Sequence, residues 1–366
     1  MIFRKNILHV NKAYYPITGG VEYVVQNLAE RINTNEFKSR VLVCRGDRGP
    51  TYVRRCNGKL IIYAGSFGTF ASLPISFSFF YLLFKLKNWA HIIHWHEPFP
   101  LATIAGLLLR KSSNFKTVVT WHSDIVRQKF VKPIITYLQR KVLKQVTTVV
   151  FTSDRLMASS DVANIGIPFR VIPLGIEVPH SNHPEEYSEG NYCLYIGRLV
   201  YYKGVDVLID SARSIDGNLK IVGDGPLRGY LEQKICQYNL GDKVELVGKV
   251  DDEDKEELIK ACSFLVMPST VKTEAFGIVQ LEAMMFGKPV INTNLPTGVP
   301  WVSLNGITGL TVDVRNAEQL TAAINTLFNQ PEICNEMGRN ARKRVDEIFT
   351  MESMIKNYEG LYHEIT

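Results

Sequence analysis

The sequence has few cysteines, and their spacing does not suggest that they act together. Six are scattered through 366 residues, with no Cys-x-x-Cys pair and no spacing typical of a zinc site. We therefore expect a reducing compartment and no structural metal. The first residues, MIFRKNILHV, lack the long apolar segment of a signal peptide, and we expect them to lead directly into a strand.

Long apolar runs are also missing. The two longest cover residues 73–84 and 100–109, and both are shorter than the roughly 20 residues that a membrane-spanning helix needs. We interpret each run as a core helix. With 46% apolar and 21% charged residues, the composition is typical of a globular protein, and the length allows two domains.

Positive charge is concentrated in the first half of the chain. Residues 1–185 contain 24 Lys and Arg against 10 Asp and Glu, a net charge of +14, whereas residues 186–366 contain 18 against 26, a net charge of −8. This asymmetry predicts that the first half binds an anionic partner. A membrane surface is favoured over nucleic acid, because no nucleic-acid-binding motif is present, and an ordinary solvated basic face is the alternative. The basic clusters are Arg54, Arg55 and Lys59; Lys85 and Lys87; Arg110, Lys111 and Lys116; Arg127, Lys129 and Lys132; and Arg140, Lys141 and Lys144.

Short apolar runs alternate with amphipathic stretches along the chain. Strand-like runs in the first half lie at 7–10, 40–44, 59–64, 91–96, 116–121, 147–152 and 170–174. Those in the second half lie at 192–197, 219–223, 243–248, 264–269, 289–294 and 309–313. Several are apolar on both faces, as strands of covered parallel sheets are. The predicted fold class is α/β, with two Rossmann-like, doubly wound domains.

A polar segment at residues 178–190, with two prolines and a glycine, interrupts the alternation where the charge changes sign. Such a composition is typical of a domain linker, so we place the domain boundary between residues 180 and 181. Ligands of open α/β sheets bind at the carboxyl ends of the strands. We therefore expect the functional site in an interdomain cleft.

The stretch TEAFGIVQLEA, residues 273–283, contains two carboxylates in an apolar setting. A helix predicted at 275–286 would place Glu274 at its N-terminus and Glu282 roughly 12 Å further along the axis. This separation exceeds the about 5–10 Å of a glycosidase pair. It suits one extended ligand, such as a nucleotide diphosphate sugar, with its phosphates at the helix N-terminus. A helix-dipole carboxylate and a surface ion pair are the alternatives for the two residues.

A diphosphate needs counter-charge. The segment YIGRLVYYKG, residues 195–204, places Arg198 and Lys203 in a predicted strand-to-helix turn, where both could bind phosphate oxygens. The one Asp-x-Asp sequence, Asp252 to Asp254, is better interpreted as the acidic first turn of a helix. We therefore predict that no metal is needed.

Three features of the first half are candidates for contacts in the presumed cleft. Gly19 and Gly20 precede a helix predicted to begin near Val21, where backbone could approach a phosphate or sugar. His122 follows the strand at 116–121, and the segment HWHEP places His94, His96 and Glu97 at the end of another strand. A lone histidine at a strand end is more often structural.

Five elements occur together and in order: GGVE (19–22), GR…K (Arg198 and Lys203), GDGP (223–226), the two glutamates of E-x7-E, and NGITGL (305–310). This set resembles the retaining GT-B glycosyltransferases of glycosyltransferase family 4, over essentially the whole chain. The resemblance implies that residues 1–180 bind the acceptor and face a membrane, and that residues 181–345 bind a nucleotide sugar. A C-terminal helix at 346–366 would cross back to the first domain.

The resemblance also implies a role for each candidate residue. Glu282 would bind the ribose and Glu274 a hydroxyl of the donor sugar, while Arg198 and Lys203 would hold the leaving diphosphate. The remaining implied contacts are the backbone at Gly19 and Gly20 near the diphosphate, His122 beside the reacting sugar, and the backbone amides of Phe276, Gly277 and Ile278 at a phosphate.

The implied activity is a metal-independent, cofactor-free hexosyltransferase of bacterial surface polysaccharide synthesis, for O-antigen or capsule. The donor would be a GDP-sugar or UDP-sugar, with mannose favoured. The acceptor would be a polyprenyl-diphosphate-linked saccharide at the cytoplasmic membrane face, where the enzyme would be peripheral. A GT-B-fold epimerase, a UDP-hexose or N-acetylhexosamine transferase and a non-catalytic binding module are alternatives. A dinucleotide oxidoreductase is disfavoured, because Gly223-x-Gly225 lacks the third glycine of that motif.

Overall fold

The computed structural model describes residues 4–17, 19–70, 73–109, 114–125, 132–163, 165–178 and 191–366. Contacts divide the chain into two units, Met1–Leu174 with Glu352–Thr366, and Gly175–Met351. Of the predicted linker, only Val178 lies within the described residues.

The first unit is built on an eight-stranded sheet in the order β10-β9-β8-β7-β1-β2-β4-β3, which is parallel except for β3. A hairpin of two short strands, β5 and β6, stands apart from it. The strands are β1 (Lys5–Val10), β2 (Phe37–Cys44), β3 (Tyr52–Cys56), β4 (Lys59–Ala64), β5 (Thr69–Phe70), β6 (Leu73–Pro74), β7 (Ile92–Glu97), β8 (Lys116–Trp121), β9 (Thr148–Phe151) and β10 (Phe169–Val171). The helices are α1 (Gly20–Arg31), α2 (Phe77–Leu86), α3 (Pro100–Leu108), α4 (Lys132–Leu143) and α5 (Asp154–Ser159).

The second unit has a six-stranded parallel sheet in the order β13-β12-β11-β14-β15-β16. Its strands are β11 (Tyr192–Ile196), β12 (Asn218–Val222), β13 (Val244–Gly248), β14 (Phe264–Met267), β15 (Val290–Thr293) and β16 (Gly309–Val312). Its helices are α6 (Val205–Ala212), α7 (Arg228–Gln237), α8 (Asp252–Ala261), α9 (Ile278–Met285), α10 (Val299–Val302), α11 (Ala317–Asn329) and α12 (Pro331–Ile348). The final helix, α13 (Met351–Ile365), belongs to the first unit from Glu352 onward.

The predicted α/β class with two doubly wound parallel sheets is confirmed. Every strand-like run of the sequence contains a strand, and nearly all of these strands contribute apolar side chains to a buried layer. The exception is β10, whose residues Phe169–Val171 are exposed or partly exposed and which covers only the start of the run predicted at 170–174. Strand β3 was missed. Its residues YVRRC are exposed except for Cys56, which is partly buried, so it lacks the apolar alternation that marks a half-buried strand.

The first apolar run forms a core helix only over its second part, so the predicted extent was wrong. Its first two residues belong to β6, and α2 begins only at Phe77, after Ser76 accepts a hydrogen bond from the Phe79 N–H at 3.1 Å. Phe77 and Tyr81 are exposed. The second run forms α3. Among the described residues, no helix combines the length and apolarity that crossing a bilayer requires.

Helix α13 completes the core of the first unit. Tyr358 and Tyr362 are fully buried. The Tyr362 hydroxyl lies 2.6 Å from Nδ1 of His94 on β7, and the Tyr358 hydroxyl lies 2.9 Å from Oγ1 of Thr120 on β8. The last residues of the chain therefore cover the buried polar side chains of this sheet.

Candidate active site

The turn after β11 carries the two candidate phosphate ligands. Gly197 has φ 158° and Gly204 has φ 70°, and a Cβ at Gly204 would collide with a neighbouring backbone carbonyl. Both positions therefore favour glycine. Arg198 is exposed, and within the described part of the chain its guanidinium has no ion-pair partner. Lys203 ends the short 3₁₀ helix Tyr201–Lys203.

The GDGP segment supports this turn from the adjacent strand β12. Gly223 has φ 132°, and a Cβ there would overlap the carbonyl oxygen of Gly197. A Cβ at Gly225 would collide with the backbone of Leu199, whose N–H donates to the Asp224 carbonyl at 3.0 Å. The two glycines are therefore explained by the packing of two turns. The segment fixes the position of Arg198 through the backbone.

Lys203 meets Glu274, which comes from the turn after β14. Lys203 Nζ lies 2.5 Å from Glu274 Oε2, with side-chain exposures of 15% and 11%. The Ser269 hydroxyl donates to the same carboxylate oxygen at 3.4 Å. Burial, together with the nearby Glu274 carboxylate, raises the pKa of Tyr195 beneath this pair. Strands β11 and β14 are neighbours, so their carboxyl ends bring a cation and a carboxylate together.

The predicted helix at 275–286 was wrong at its start. Helix α9 begins at Ile278, and its N-cap Gly277 has φ 76°, a conformation that ends a helix rather than continuing one. A Cβ at Gly277 would also lie 2.7 Å from Met267 Sδ. Glu274 therefore lies in the loop before α9 and not at the helix N-terminus. The distance along one helix axis that we derived for the two glutamates does not apply.

Glu282 lies in the second turn of α9 and has a cationic partner that the sequence did not reveal. Lys255 Nζ on α8 lies 3.3 Å from Glu282 Oε1 and 3.0 Å from Asp252 Oδ1. Each of the two glutamates is thus paired with a lysine from another element. The Asp-x-Asp residues behave as predicted, since they form the first turn of α8, which is capped by Asp251.

In the first unit, Gly19 is the N-cap of α1 and Gly20 is its first residue. Gly19 is extended, with φ −174°, and an added Cβ would meet only the flexible Glu22 side chain. Backbone strain therefore does not require a glycine at position 19. Burial raises the pKa of Glu22, against the smaller opposing effect of Lys12.

His122 belongs to a group of four buried rings, His9, His94, His96 and His122, which we call the histidine cluster. Its rings lie side by side, with centroids 5.5 Å apart for His9–His94, 4.3 Å for His94–His96 and 5.3 Å for His96–His122. His96 Nδ1 lies 3.0 Å from His122 Nε2. Neither ring nitrogen of His9 has a hydrogen-bond partner among the described residues, and the same holds for His96 Nε2.

Burial keeps the histidine cluster neutral. It lowers the pKa of His9 and of His122 to about 3, with a smaller contribution of Lys59 at His9. It lowers the pKa of His94 and His96 well below the usual value. Nitrogen atoms of His9, His94 and His96 lie within 4.8 Å of one another, as in a candidate metal site. However, His94 already uses both ring nitrogens, toward Tyr362 and Thr120.

Glu97, at the end of β7, is also buried and accepts three hydrogen bonds. The donors are the Phe99 N–H at 2.7 Å, the Thr103 hydroxyl at 2.7 Å and Gln139 Nε2 at 3.1 Å. Burial raises the pKa of Glu97 to about 7 despite these bonds. Glu97 therefore joins α3 and α4 to the sheet.

Comparison with known proteins decides the family. The model of Glycosyltransferase Family 4 matches residues 18–179, and that of Glycosyl transferases group 1 matches residues 179–344. The chain is 33% identical to O-antigen chain mannosyltransferase C of Escherichia coli over 97% of both chains. The chain belongs to glycosyltransferase family 4. This family 4 enzyme is also 32% identical to the D-rhamnosyltransferase WbpZ of Pseudomonas aeruginosa, over 94% of this chain and 92% of the relative.

The fold of this glycosyltransferase matches solved GT-B structures. The sucrose-phosphate synthase from Thermosynechococcus elongatus superposes with a TM-score of 0.82 at 23% identity, over 99% of both chains. Of the candidate residues, the structure brings Lys203 and Glu274 into contact and places Arg198 in the same turn. Gly19, Gly20 and His122 belong to the other unit.

Proposed function

We propose that this glycosyltransferase transfers a mannose-configured hexose, with retention and without a metal, from a nucleotide diphosphate sugar to a lipid-linked saccharide of bacterial O-antigen synthesis. The observation that carries the donor assignment is the Lys203–Glu274 pair beside Arg198. The Glu274 carboxylate can accept a hydrogen bond from a sugar hydroxyl, and Lys203 and Arg198 provide two cations at the same edge of the sheet. This arrangement suits a sugar joined to a diphosphate.

In the proposed reaction an acceptor hydroxyl oxygen bonds to C1 of the sugar on the face that the diphosphate leaves. The C1–O bond breaks, and the nucleoside diphosphate takes the electron pair. The hydroxyl proton passes to the departing phosphate oxygen. Arg198 and Lys203 stabilise the leaving charge, the kind of preorganised electrostatic effect that is often the largest catalytic contribution. Glu274 holds a sugar hydroxyl, and Glu282 holds the ribose.

The assignments of Gly19, Gly20 and His122 follow from the family resemblance. We propose that the two glycines bring backbone near the diphosphate and that His122 lies beside the reacting sugar. We propose likewise that the backbone at Phe276, Gly277 and Ile278 binds a phosphate.

The names of two relatives support the choice of sugar. One is a mannosyltransferase and the other a D-rhamnosyltransferase. D-Rhamnose is mannose without the C6 hydroxyl, so a site for either sugar must recognise the same arrangement at C2, C3 and C4. A mannose-configured sugar is therefore favoured, with GDP-mannose as the first donor to test and UDP-hexose as the alternative.

The location follows from the acceptor. A lipid-linked acceptor would require the enzyme to work at the inner face of the plasma membrane, and the net charge of +14 in residues 1–185 supports attraction to anionic lipid.

The test is transfer from GDP-mannose by the wild type and by Glu274→Ala. We expect transfer to collapse in the variant while GDP still binds, and we expect EDTA to leave the wild-type rate unchanged. NMR of the product should show the anomeric configuration of the donor. An unaffected Glu274→Ala enzyme would disprove the role of that residue. Conversion of the donor without an acceptor would support the epimerase instead.

A further inference from the structure

Four aromatic side chains in the first unit have no role in the reaction proposed above. Phe67, Phe70, Phe77 and Tyr81 have exposed fractions of 65%, 75%, 73% and 67%. Large apolar side chains exposed singly are ordinary, but a contiguous group of them marks an interaction surface. We call these four residues the aromatic patch.

Phe67, Phe77 and Tyr81 of the aromatic patch are neighbours, and Phe70 lies on the hairpin next to them. Phe77 and Tyr81 are one turn apart on α2, and Lys85 follows after another turn on the same face. The Phe67 ring contacts the Phe77 ring edge-on, with centroids 6.1 Å apart. The Phe67 N–H also donates to the Ile75 carbonyl at 2.9 Å, which ties the hairpin that carries Phe70 to the start of α2.

The charge around the patch has one dominant sign. Residues 45–87 contain seven basic residues and a single acidic one, Asp47. Asp47 is paired with Arg45, which leaves exposed Arg48 and Lys85 beside the patch. The loop that carries Arg48 is held to the hairpin, because the Thr69 hydroxyl donates to the Gly46 carbonyl at 2.8 Å. The remaining basic residues of this range are Arg54, Arg55, Lys59 and Lys87.

The basic helix α4 is the competing surface, and it is less suited to lipid. Its one exposed aromatic side chain is Tyr137, and Lys141 Nζ already lies 4.7 Å from that ring centroid. Arg140 donates to the Asp161 carbonyl, and Lys132 Nζ lies 2.6 Å from Asp161 Oδ2. Arg110, Lys111, Arg127 and Lys129, which also belong to the predicted basic clusters, lie outside the described residues.

We propose that the aromatic patch is the membrane-docking surface of this enzyme and that its partner is an anionic lipid bilayer. The rings enter the boundary between headgroups and acyl chains, as the apolar face of an interfacial helix does. Arg48 and Lys85 remain at the level of the lipid phosphates. The inference rests on the proposed function, since a lipid-linked acceptor is what makes docking useful.

The test is co-sedimentation with vesicles of phosphatidylglycerol and phosphatidylcholine. The double variant Phe77→Gln, Tyr81→Gln should bind at least tenfold more weakly than the wild type, and Lys85→Gln about fivefold more weakly. Tyr137→Gln on α4 is the matched control and should stay within twofold. All four side chains are exposed, so melting temperatures should not change. Pure phosphatidylcholine should bind the wild type more weakly than the mixture.

Three results would overturn the inference. They are wild-type protein that does not bind the mixed vesicles, a double variant that binds like the wild type, and a Tyr137→Gln variant that loses as much binding as the double variant. Light scattering adds a fourth. If the double variant changes only the oligomeric state, the patch binds a second copy of this chain.

A parallel measurement separates this inference from the proposed function. None of the residues proposed to bind the nucleotide belongs to the aromatic patch, so stabilisation by GDP or UDP should be identical in the wild type and the double variant. Vesicle binding without a nucleotide response would leave the patch standing and refute the donor site. The reverse result would refute the patch alone.

Discussion

The histidine cluster should make the first unit sensitive to acid. The native pKa of His9 and of His122 is about 3, whereas an unfolded histidine titrates near 6.5. Above pH 6.5 both states are neutral, so the lowered native pKa does not affect the free energy of unfolding. As the pH falls from 6.5 toward 3, only the unfolded chain takes up the proton, so the free energy of unfolding decreases.

The magnitude at pH 5 follows directly. The unfolded pKa lies 1.5 units above this pH, and each unit corresponds to about 1.36 kcal/mol. Each histidine that stays neutral in the native state therefore lowers the free energy of unfolding by about 2 kcal/mol. Burial also lowers the native pKa of His94 and His96 well below normal, so both act in the same direction. His9 and His122 alone should remove about 4 kcal/mol between pH 7.5 and pH 5, which is a large part of the stability of many domains.

The assay is urea unfolding followed by tryptophan fluorescence at the two pH values. Trp89, Trp95 and Trp121 belong to the first unit and only Trp301 to the second, so the signal reports mainly on the relevant sheet. His9→Leu should reduce the loss by about 2 kcal/mol, and at pH 7.5 it should cost little, because the His9 nitrogens have no partners among the described residues.

Equal pH dependence in the wild type and His9→Leu would refute this reasoning. That result would mean that His9 binds a proton in the native state above pH 5.

Other variants test the donor site and its support. Lys203→Met leaves the nearly buried Glu274 without its cation and should lower the transfer rate at least 100-fold in steady-state kinetics. Lys255→Met should raise the donor KM about tenfold with little change in kcat, because it only positions the carboxylate of α9. Gly223→Ala should lower the free energy of unfolding by about 2–4 kcal/mol in urea titrations, since it combines a positive φ with a backbone collision. Gly229→Ala, in open space on α7, is its control and should be neutral or stabilising.

The sheets could be predicted from the sequence because their strands are apolar on both faces. Strand β3 could not be predicted, because it is an exposed, arginine-containing edge strand that pairs only with β4 and has no apolar pattern. The start of α9 was predicted too early because Ala275 and Phe276 are compatible with a helix. The signal available in the sequence was the glycine at 277, because glycine tolerates the positive φ that the N-cap adopts here.

The site was predictable in part. Lys203 and Glu274 follow neighbouring strands of a parallel sheet, so their meeting follows from strand order. Lys255 was not predictable, because 27 residues separate it from Glu282 and only the packing of α8 on α9 brings them together. The stacking of His94, His96 and His122 likewise depends on the register of β7 with β8.

The central claim is that the second unit binds a nucleotide diphosphate sugar through Lys203, Glu274 and Glu282. Thermal denaturation with millimolar GDP, UDP, ADP or NAD tests it most directly, since a ligand at 100 times its Kd stabilises by about 2.7 kcal/mol. We predict a rise in melting temperature with GDP that is lost in Glu282→Ala. A response to UDP alone would move the donor to the UDP-hexoses. A selective response to NAD, or a GDP response unchanged in Glu282→Ala, would contradict the account.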